Sequence, residues 1–392
     1  MLVGLRDATV TTSGGKAATL GTLLRAGVPV PDGFVIPFDA YREVHALGDD
    51  RPGDRPGVAL AGLPEPLGDA LARGLRRLGD IPVAVRSSAS DEDAASASTA
   101  GQYESVLGVI GRDQVARAVR QVWASLGSAR ATAYRGALAG TPAMAVLVQP
   151  LIDADASGVM FTPSADDGAT VIESAWGLGP SVVGGTVTPD TCRVGRDGSV
   201  TIVVADKRTF VGRDGPRPVP AADRERPSLG VTTAVQLARL GEQVAEVLGG
   251  QQDVEWAVAG GRAWILQARP VTAGIPPAPD DVRFAPPGAL TGTPGSAGWA
   301  SGPARVVRGP ADFPRVRPGD VLVCLFTDPA WTPLLRVAAA VVTQTGGMLS
   351  HAAIVARERR IPAVLGVPDV TTRIHDGDRV TVDGATGVVT LT

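Results

Sequence analysis

A proline-rich stretch at residues 273–290 constrains the fold of this chain more than any other feature. It reads AGIPPAPDDVRFAPPGAL and shows neither the alternation of a strand nor the periodicity of a helix. Segments of this composition are semi-rigid and extended at about 3.1 Å per residue, so this one spans roughly 50 Å. The sequence therefore predicts two parts, residues 1–272 and 291–392, joined by a linker at 273–290.

Charge, apolar runs and cysteine content exclude several classes of protein. The formal net charge is -3 with both signs mixed along the chain, which predicts neither a nucleic-acid partner nor a membrane-binding patch. No apolar run reaches the roughly 18–20 residues of a membrane helix, and the first residues do not resemble a signal peptide. The two cysteines, Cys192 and Cys324, form no disulfide framework or metal motif, so we expect a cytoplasmic protein.

The periodicity of apolar residues predicts a mixed α/β (α+β) fold. Three helical stripes are visible: Ala17, Leu20 and Leu24, with a stop at Gly27; Val115, Val119, Val122 and Leu126; and Leu237, Leu240, Val244 and Leu248. Strands are predicted at residues 145–149, 171–173 and 200–205. The last hundred residues alternate short strands, at 304–307, 321–325 and 341–343, with helical segments, which indicates a compact α/β domain.

Two short motifs have the composition of phosphate-binding loops. The sequence SGGK, ending at Lys16, immediately precedes a helical stripe, so backbone N–H groups and a lysine would face a phosphate. The sequence RSSASDED begins at Arg86 after an apolar segment, where an arginine suits polyphosphate. Beyond it, TAGQ contains Gly101, which permits close approach of the backbone to a nucleotide. The alternatives are a surface Gly-Gly turn and a solvated loop with a helix cap.

The segments DVEWAV (253–258) and AWILQAR (263–269) predict a β-hairpin. A three-residue loop at 260–262 gives the predicted pairs Ala259–Ala263, Glu255–Gln267 and Asp253–Arg269. The opposite face would hold five apolar residues: Val254, Trp256, Val258, Trp264 and Leu266. A carboxylate beside an amide oxygen suits Mg²⁺, and the arginine can hold a phosphate. Glu173, on another predicted strand, is a further candidate for this acidic group; the alternative is a half-exposed hairpin with a polar face.

The sequence TQTGGMLSHAAIVARE (343–358) contains the strongest candidate for a catalytic residue. A strand ends, two glycines turn the chain, Ser350 is placed to cap, and a helix begins near His351. Imidazole is a competent nucleophile toward phosphorus at neutral pH, and a helix N-terminus stabilises the anionic phosphohistidine. His45, in a predicted helix, and His375, in a turn, lack such a setting and are interpreted as structural or surface residues.

These motifs, in this order, resemble the pyruvate phosphate dikinase and phosphoenolpyruvate synthase superfamily, which includes rifampin phosphotransferase. The resemblance extends over nearly the whole chain. Its nucleotide-binding motifs are GGKAATLGTLLRAGVPVPDGFVI, RSSASDED with TAGQYESVLGV, QPLIDADASGVMFT, ESAWGLGPSVVGGTVTPD and DVEWAVAGGRAWILQARPVT. Its mobile-domain motifs are GTPGSAGWASGPARVV and TQTGGMLSHAAIVARERRIPAVLGV.

The resemblance implies a two-lobed ATP-grasp-like domain at 1–272 and a swivelling phosphohistidine domain at 291–392. It assigns Lys16, Arg86, Gln149 and Arg269 to ATP, Gly101 and Ser105 to the neighbourhood of the phosphates, and Glu255 and Gln267 to Mg²⁺. In this family the β-phosphate of ATP is transferred to histidine, here His351, with release of AMP and inorganic phosphate. The implied cofactors are therefore ATP and Mg²⁺.

The acceptor is the part of the function that the sequence leaves open. Family members carry a third, acceptor-binding domain, and we expect none here, which leaves three hypotheses. In the first, a small-molecule hydroxyl or amine, of a secondary metabolite or antibiotic, is phosphorylated between the two domains. In the second, the chain is one subunit of a split pyruvate- or phenol-type dikinase that passes the phosphoryl group to a partner subunit. In the third, it is a nucleotide-binding regulator without turnover, which the retained site residues disfavour.

Overall fold

Three large sheets organise the protein in the computed structural model. It describes residues 2–47, 63–90, 103–128, 142–164, 167–275 and 285–391. The predicted linker is thus described only at its two ends, and Gly101 and the acidic end of the RSSASDED motif lie outside the described residues. The mixture of helices and sheets confirms the predicted fold class. Among these ranges, no helix is both long enough and apolar enough to cross a membrane.

The first sheet has five antiparallel strands in the order β1-β2-β5-β3-β4. Its strands are β1 (Val3–Gly4), β2 (Phe34–Ile36), β3 (Val83–Ala89), β4 (Ser105–Val109) and β5 (Met144–Pro150). Four helices accompany it: α1 (Val10–Arg25), α2 (Phe38–Leu47), α3 (Glu65–Arg77) and α4 (Arg112–Ser125). Helices α2, α3 and α4 bury their apolar residues on one face of this sheet, whereas α1 packs on the other. Two predicted stripes therefore form helices, and Gly27 follows the end of α1 with φ +82°.

The second sheet has six antiparallel strands in the order β13-β12-β6-β7-β8-β9. Its strands are β6 (Ala156–Phe161), β7 (Thr170–Trp176), β8 (Asp190–Val194), β9 (Val200–Val203), β12 (Gln252–Ala259) and β13 (Arg262–Pro270). A small ribbon, β10 (Thr209–Gly212) and β11 (Gly215–Pro218), and the helices α5 (Pro180–Val183) and α6 (Val231–Leu248) flank it. Residues of α1, α6 and the first two sheets share one apolar core, so these elements form a single two-sheet unit.

The third sheet belongs to the C-terminal part and has the order β14-β21-β20-β16-β17-β18-β19-β15. Its strands are β14 (Leu290–Thr291), β15 (Thr293–Ser296), β16 (Trp299–Val307), β17 (Val321–Cys324), β18 (Ala340–Thr343), β19 (Ala363–Leu365), β20 (Arg379–Asp383) and β21 (Val388–Leu391). Its helices are α7 (His351–Arg359) and α8 (Val370–Arg373). Strands β16 to β19 are mutually parallel, and the outer strands are antiparallel. Short 3₁₀ helices occur at Leu5–Asp7, Ala221–Asp223, Pro310–Arg315, Pro329–Trp331 and Leu334–Arg336.

The hairpin of β12 and β13 differs from its predicted register. The turn has two residues, Gly260 and Gly261, so Ala259 pairs with Arg262 rather than with Ala263. A β-bulge opposite the Glu255–Trp256 step then adds one residue to β13, and this restores the predicted pairs of Glu255 with Gln267 and Asp253 with Arg269. The apolar face was wrongly predicted in β13, because Ile265 enters the core there while Trp264 and Leu266 are only half-buried.

A buried ion pair ties the segment after β9 to the second sheet. The Lys207 ammonium lies 2.6 Å from an Asp190 carboxylate oxygen, and both side chains are at most 2 % exposed. The same carboxylate accepts bonds from the backbone amide of Ala205 and from the amide and hydroxyl of Ser228. Every oxygen of this buried charge is therefore compensated, as a stable buried ion pair requires.

Candidate functional site

A cavity of about 340 Å³ lies between the first two sheets. Its walls contain six of the predicted site residues: Lys16, Arg86, Ser105, Gln149, Glu255 and Gln267. They come from α1, β3, β4, β5, β12 and β13, so residues far apart in sequence converge only because the two sheets face each other. Apolar residues such as Leu107, Leu151 and Ile152 line the rest of the cavity. A mainly apolar pocket with a few convergent polar groups is the usual form of a small-molecule site.

A kink in α1 brings Lys16 to this cavity. Gly14 has φ +78° inside the helix, and a Cβ at this position would lie 2.5 Å from the carbonyl oxygen of Ser88. The Ser88 hydroxyl donates to the carbonyl of Ser13 at 2.6 Å and accepts the amide of Ala17 at 3.1 Å. The Lys16 side chain is buried, 3.5 Å from the hydroxyl of Ser87 on β3. The helical turn after the glycines was predicted, whereas its attachment to β3 was not.

Arg86 connects the two sheets across the cavity. Its Nη2 donates to Glu255 Oε2 at 3.1 Å and to Gln267 Oε1 at 3.0 Å, and its Nη1 donates to the Leu266 carbonyl. The carboxylate and amide oxygens predicted to bind Mg²⁺ therefore already converge on one cationic group. That arrangement fits a divalent cation, because two hard oxygens from neighbouring strands can reach a single point. Within the described ranges, no group of three or more His, Cys, Asp or Glu residues could hold a metal ion.

The remaining predicted ATP residues divide between this cavity and another. Ser105 begins β4 opposite Arg86, and Gln149 is buried in β5 with its amide donating to the Pro31 carbonyl. Arg269 does not line the larger cavity. It instead pairs with Asp253 at 2.7 Å and lines a smaller cavity beside it. Burial raises the pKa of Asp253, and the adjacent Arg269 opposes that rise.

The smaller cavity, of about 80 Å³, brings His351 to the hairpin. Leu349, His351 and Ile354 of the C-terminal part form one side, and Asp253, Glu255, Gln267 and Arg269 form the other. Glu255 and Gln267 line both cavities, so the predicted metal ligands lie between the predicted nucleotide site and the histidine. His45, exposed in α2, and His375, in an exposed turn, line neither cavity.

One ring nitrogen of His351 lies against a threonine hydroxyl. The residue is buried at the start of α7, and its Nδ1 lies 3.2 Å from the hydroxyl of Thr327. With Nδ1 protonated and donating to Thr327, the lone pair for attack resides on Nε2. Ser350 occupies the N-cap position as predicted, but its hydroxyl donates to the Gly347 carbonyl and does not cap the helix. Thr327 was missed in the sequence because it belongs to a different loop and no motif marks it.

A segment between β7 and β8, residues 177–188, connects the two cavities, and we call it the bridging segment. Leu178 and Pro180 line the larger cavity, whereas Val183 and Gly184 line both. Further along, the carbonyl of Gly185 accepts the hydroxyl of Thr345, which lies just after β18. The bridging segment therefore lines the larger cavity and also contacts the loop that precedes His351.

Comparison with known proteins agrees with this arrangement. Residues 55–280 match the family described as "Pyruvate phosphate dikinase, AMP/ATP-binding domain", and residues 316–387 match "PEP-utilising enzyme, mobile domain". Phosphoenolpyruvate synthase of Aeropyrum pernix is 36% identical over an alignment of 456 residues, gaps included. The alignment covers 96% of this chain and 56% of that protein. The phosphoenolpyruvate synthase of Pyrococcus furiosus is 32% identical over 462 residues, with the same two coverages.

A relative of another kind is the prodigiosin synthesizing transferase PigC of Serratia marcescens. It is 38% identical over 333 residues, covering 80% of this chain and 36% of PigC. Among solved structures, an Enzyme I fragment matches with TM-score 0.18 over 19% of this chain and 30% of its own, which is too low to inform the fold. The chain spans about half the length of the phosphoenolpyruvate synthases that it matches. From these matches, the chain belongs to the pyruvate phosphate dikinase family of ATP-binding proteins and also carries the mobile domain of the PEP-utilising enzymes.

Proposed function

We propose that this protein is an ATP-dependent phosphotransferase that moves the β-phosphate of ATP through phospho-His351 to an acceptor. One observation carries the proposal: His351 and the Glu255–Gln267 oxygen pair line the same cavity, which adjoins the larger nucleotide-sized cavity. ATP in the larger cavity would extend its phosphates past Glu255 and Gln267 toward the imidazole. Family membership supports ATP and Mg²⁺ as the cofactors.

The residues of this chain supply positioning and charge for the transfer. Nε2 of His351 forms a bond to the β-phosphorus, the bridge to the α-phosphate breaks, and AMP leaves; water later removes the γ-phosphate as inorganic phosphate. Thr327 fixes the imidazole through Nδ1. Lys16, Arg86 and Arg269 supply positive charge toward the polyphosphate. Mg²⁺ bound at Glu255 and Gln267 would neutralise phosphate charge.

The experiment is labelling with ATP that carries ³²P in the β-position. We expect acid-labile label on the wild-type protein and equimolar AMP, and neither on the His351→Ala variant. The His375→Ala variant is the matched control and should label normally, because His375 is exposed and lines neither cavity. Equal labelling of the wild-type and His351→Ala proteins would refute the assignment of the carrier.

For the acceptor, we propose a hydroxyl or amine of a small molecule, in the class of secondary metabolites or antibiotics. The similarity to PigC supports this class, because that relative is named as a transferase that synthesizes prodigiosin. A partner subunit that supplies the acceptor site is the second candidate. Discharge of labelled protein by a panel of such molecules, alone and with cell extract, separates the two candidates: only the second requires a protein fraction.

We further propose that residues 291–392 move as a unit between ATP and the acceptor. The supporting feature is the proline-rich composition of residues 273–290, which gives a long and semi-rigid connection. Removing eight residues from this stretch would shorten its reach by roughly 25 Å. We expect ATP binding to persist while either His351 labelling or delivery to the acceptor slows. Normal rates of both steps would show that the two half-reactions share one fixed site.

A further inference from the structure

The loop that immediately precedes His351, residues 344–350, is held against the ATP-binding part by hydrogen bonds to backbone carbonyls. We call it the histidine loop. Gly346 donates its amide to the Val187 carbonyl at 3.1 Å, and the Thr345 hydroxyl donates to the Gly185 carbonyl at 2.7 Å. Both acceptors belong to the bridging segment. The position of the loop in this structure, which we call the docked position, is therefore specified by directional bonds as well as by apolar packing.

Glu173 makes two further contacts with the histidine loop. It lies in the middle of β7 and is completely buried, and each of its carboxylate oxygens accepts one amide of the histidine loop. Met348 donates to Oε1 at 2.6 Å, and Leu349 donates to Oε2 at 3.1 Å. Glu173 lines neither cavity, so the sequence-based suggestion that it joins the metal-binding group was wrong.

The histidine loop is shaped to fit this carboxylate. A Cβ at Gly347 would lie 2.2 Å from Glu173 Oε1 and 2.5 Å from its carboxyl carbon. Gly347 does not have a positive φ, so its backbone conformation would accept alanine, and the three atoms nearest to such a Cβ all belong to the Glu173 carboxyl group. The carboxylate thus fills the space that a glycine leaves open, two residues before Leu349.

The opposite side of the loop is supported from its own domain. Arg357 of α7 donates from Nη1 to the Met348 carbonyl at 2.7 Å and to the Gly295 carbonyl at 2.9 Å. Its buried charge faces Glu173 and Asp253 across the interface. Met348 is therefore held at both ends of its residue: Glu173 accepts its amide and Arg357 donates to its carbonyl.

We propose that Glu173 is a positioning residue that seats the histidine loop in the docked position, where His351 faces the hairpin. This inference rests on the proposed function for its consequence, the rate of His351 phosphorylation from ATP. The seat itself is a property of the interface. A buried carboxylate is costly unless its hydrogen bonds are made. Because the loop amides supply those bonds, leaving the docked position requires water to replace them.

The first test is hydrogen exchange in the ATP-free protein, which needs no catalytic activity. In Glu173→Ala, the amides of Met348 and Leu349 lose their acceptors, and we expect exchange of the loop peptide to quicken at least tenfold. Ser174→Ala is the matched control. Ser174 is the buried neighbour on β7, and its hydroxyl bonds Ser228, not the loop. Unchanged loop exchange in Glu173→Ala, or equal acceleration in Ser174→Ala, would overturn the proposal.

The second test compares two phosphoryl donors for His351. ATP must react in the docked position, whereas phosphoramidate, a small donor, reacts with an exposed imidazole. We expect Glu173→Ala to reduce labelling from ATP at least tenfold with unchanged ATP affinity, and not to reduce labelling from phosphoramidate. Equal losses with both donors would mean a damaged loop and would overturn the positioning role. Absence of ATP labelling in the wild-type protein would refute the proposed function alone, because loop exchange still decides the seat.

A double-variant cycle isolates the contact itself. Gly347→Ala places a methyl group against the Glu173 carboxylate, and we expect it to quicken loop exchange at least tenfold. In the Glu173→Ala background the obstructing atoms are absent, so the same substitution should change exchange less than twofold. Such non-additivity is expected only for groups in contact. Equal effects of Gly347→Ala in both backgrounds would show that the loop requires glycine for itself, and would contradict the fit described here.

Discussion

If Glu255 and Gln267 bind a metal ion, as we propose, Arg86 competes with that ion for the same two side chains, and this makes a specific prediction for Arg86→Met. Nη2 of Arg86 donates to both Glu255 and Gln267, the two predicted metal ligands, at 3.1 and 3.0 Å. The side chain of Arg86 is 12% exposed, and that of Glu255 is 24% exposed. In the protein without nucleotide, we expect the positive charge and hydrogen bonds of Arg86 to oppose binding of a cation at these oxygens. Removal of Arg86 should therefore strengthen metal binding while it weakens catalysis.

The size of the effect follows from the bonds that must be broken. Hydrogen bonds to a charged group contribute about 1.5–3 kcal/mol net. At 1.4 kcal/mol for each factor of ten, the affinity of the nucleotide-free protein for a divalent cation should rise by about tenfold to a hundredfold. Mn²⁺, which has usable paramagnetic spectra and similar oxygen ligands, is the practical probe. Turnover of ATP should fall in the same variant, because the guanidinium is then missing from the phosphates.

Arg269→Met is the matched control for charge. It removes one positive charge from the same hairpin, and the guanidinium of Arg269 bonds the carboxylate of Asp253. We expect it to change Mn²⁺ affinity less than threefold. Equal gains in the two variants would mean a general electrostatic effect, and no gain in Arg86→Met would mean that Arg86 and the metal do not share these oxygens. Either result would refute the competition.

Three further predictions concern the metal ligands, the buried ion pair and the histidine loop. Glu255→Ala and Gln267→Ala should each raise the Mg²⁺ concentration for half-maximal AMP release by about tenfold or more; unchanged Mg²⁺ dependence in both would contradict their role. Lys207→Met should lower the free energy of unfolding by about 3–5 kcal/mol in denaturant titrations, because it leaves the Asp190 carboxylate buried without its cation; an unchanged free energy would contradict this role. Burial raises the pKa of Glu173 to about 7, against the opposing loop amides and Arg357, so docking takes up a proton. Hydrogen-exchange protection of the histidine-loop amides, corrected for intrinsic exchange, should be greatest at pH values below the ordinary pKa of a carboxyl group. It should decline as pH rises through 7, and this trend should vanish in Glu173→Gln.

The hairpin shows both the power and the limit of sequence patterns. Alternation placed Glu255 beside Gln267, although the predicted loop was one residue too long and the bulge was not foreseen. The two errors cancel beyond the bulge, and they remain visible before it, where Ile265 takes the core position expected for its neighbours. A bulge depends on how the strand fits its surroundings, and a linear pattern of apolar and polar residues does not record that fit.

The interface contacts were beyond the reach of local patterns. His351 stood out because a strand, two glycines and a helix start surround it within a few residues. Thr327 and Glu173 contact the histidine and its loop from distant parts of the chain. The one available signal was Glu173 itself, a carboxylate in the otherwise apolar strand TVIESAW. An acid in such a strand predicts a buried charge with a partner, but not which partner.

The bridging segment couples the two events of the proposed reaction, which are nucleotide binding and docking of the histidine loop. It lines the larger cavity at Leu178 and bonds the histidine loop through the carbonyls of Gly185 and Val187. When one element serves two binding equilibria, the coupling between them is reciprocal: the factor by which nucleotide tightens docking equals the factor by which docking tightens nucleotide. Under the proposed function, departure of the phosphorylated domain would therefore loosen AMP by that same factor. Exchange of spent nucleotide and delivery of the phosphoryl group would then be timed by a single equilibrium.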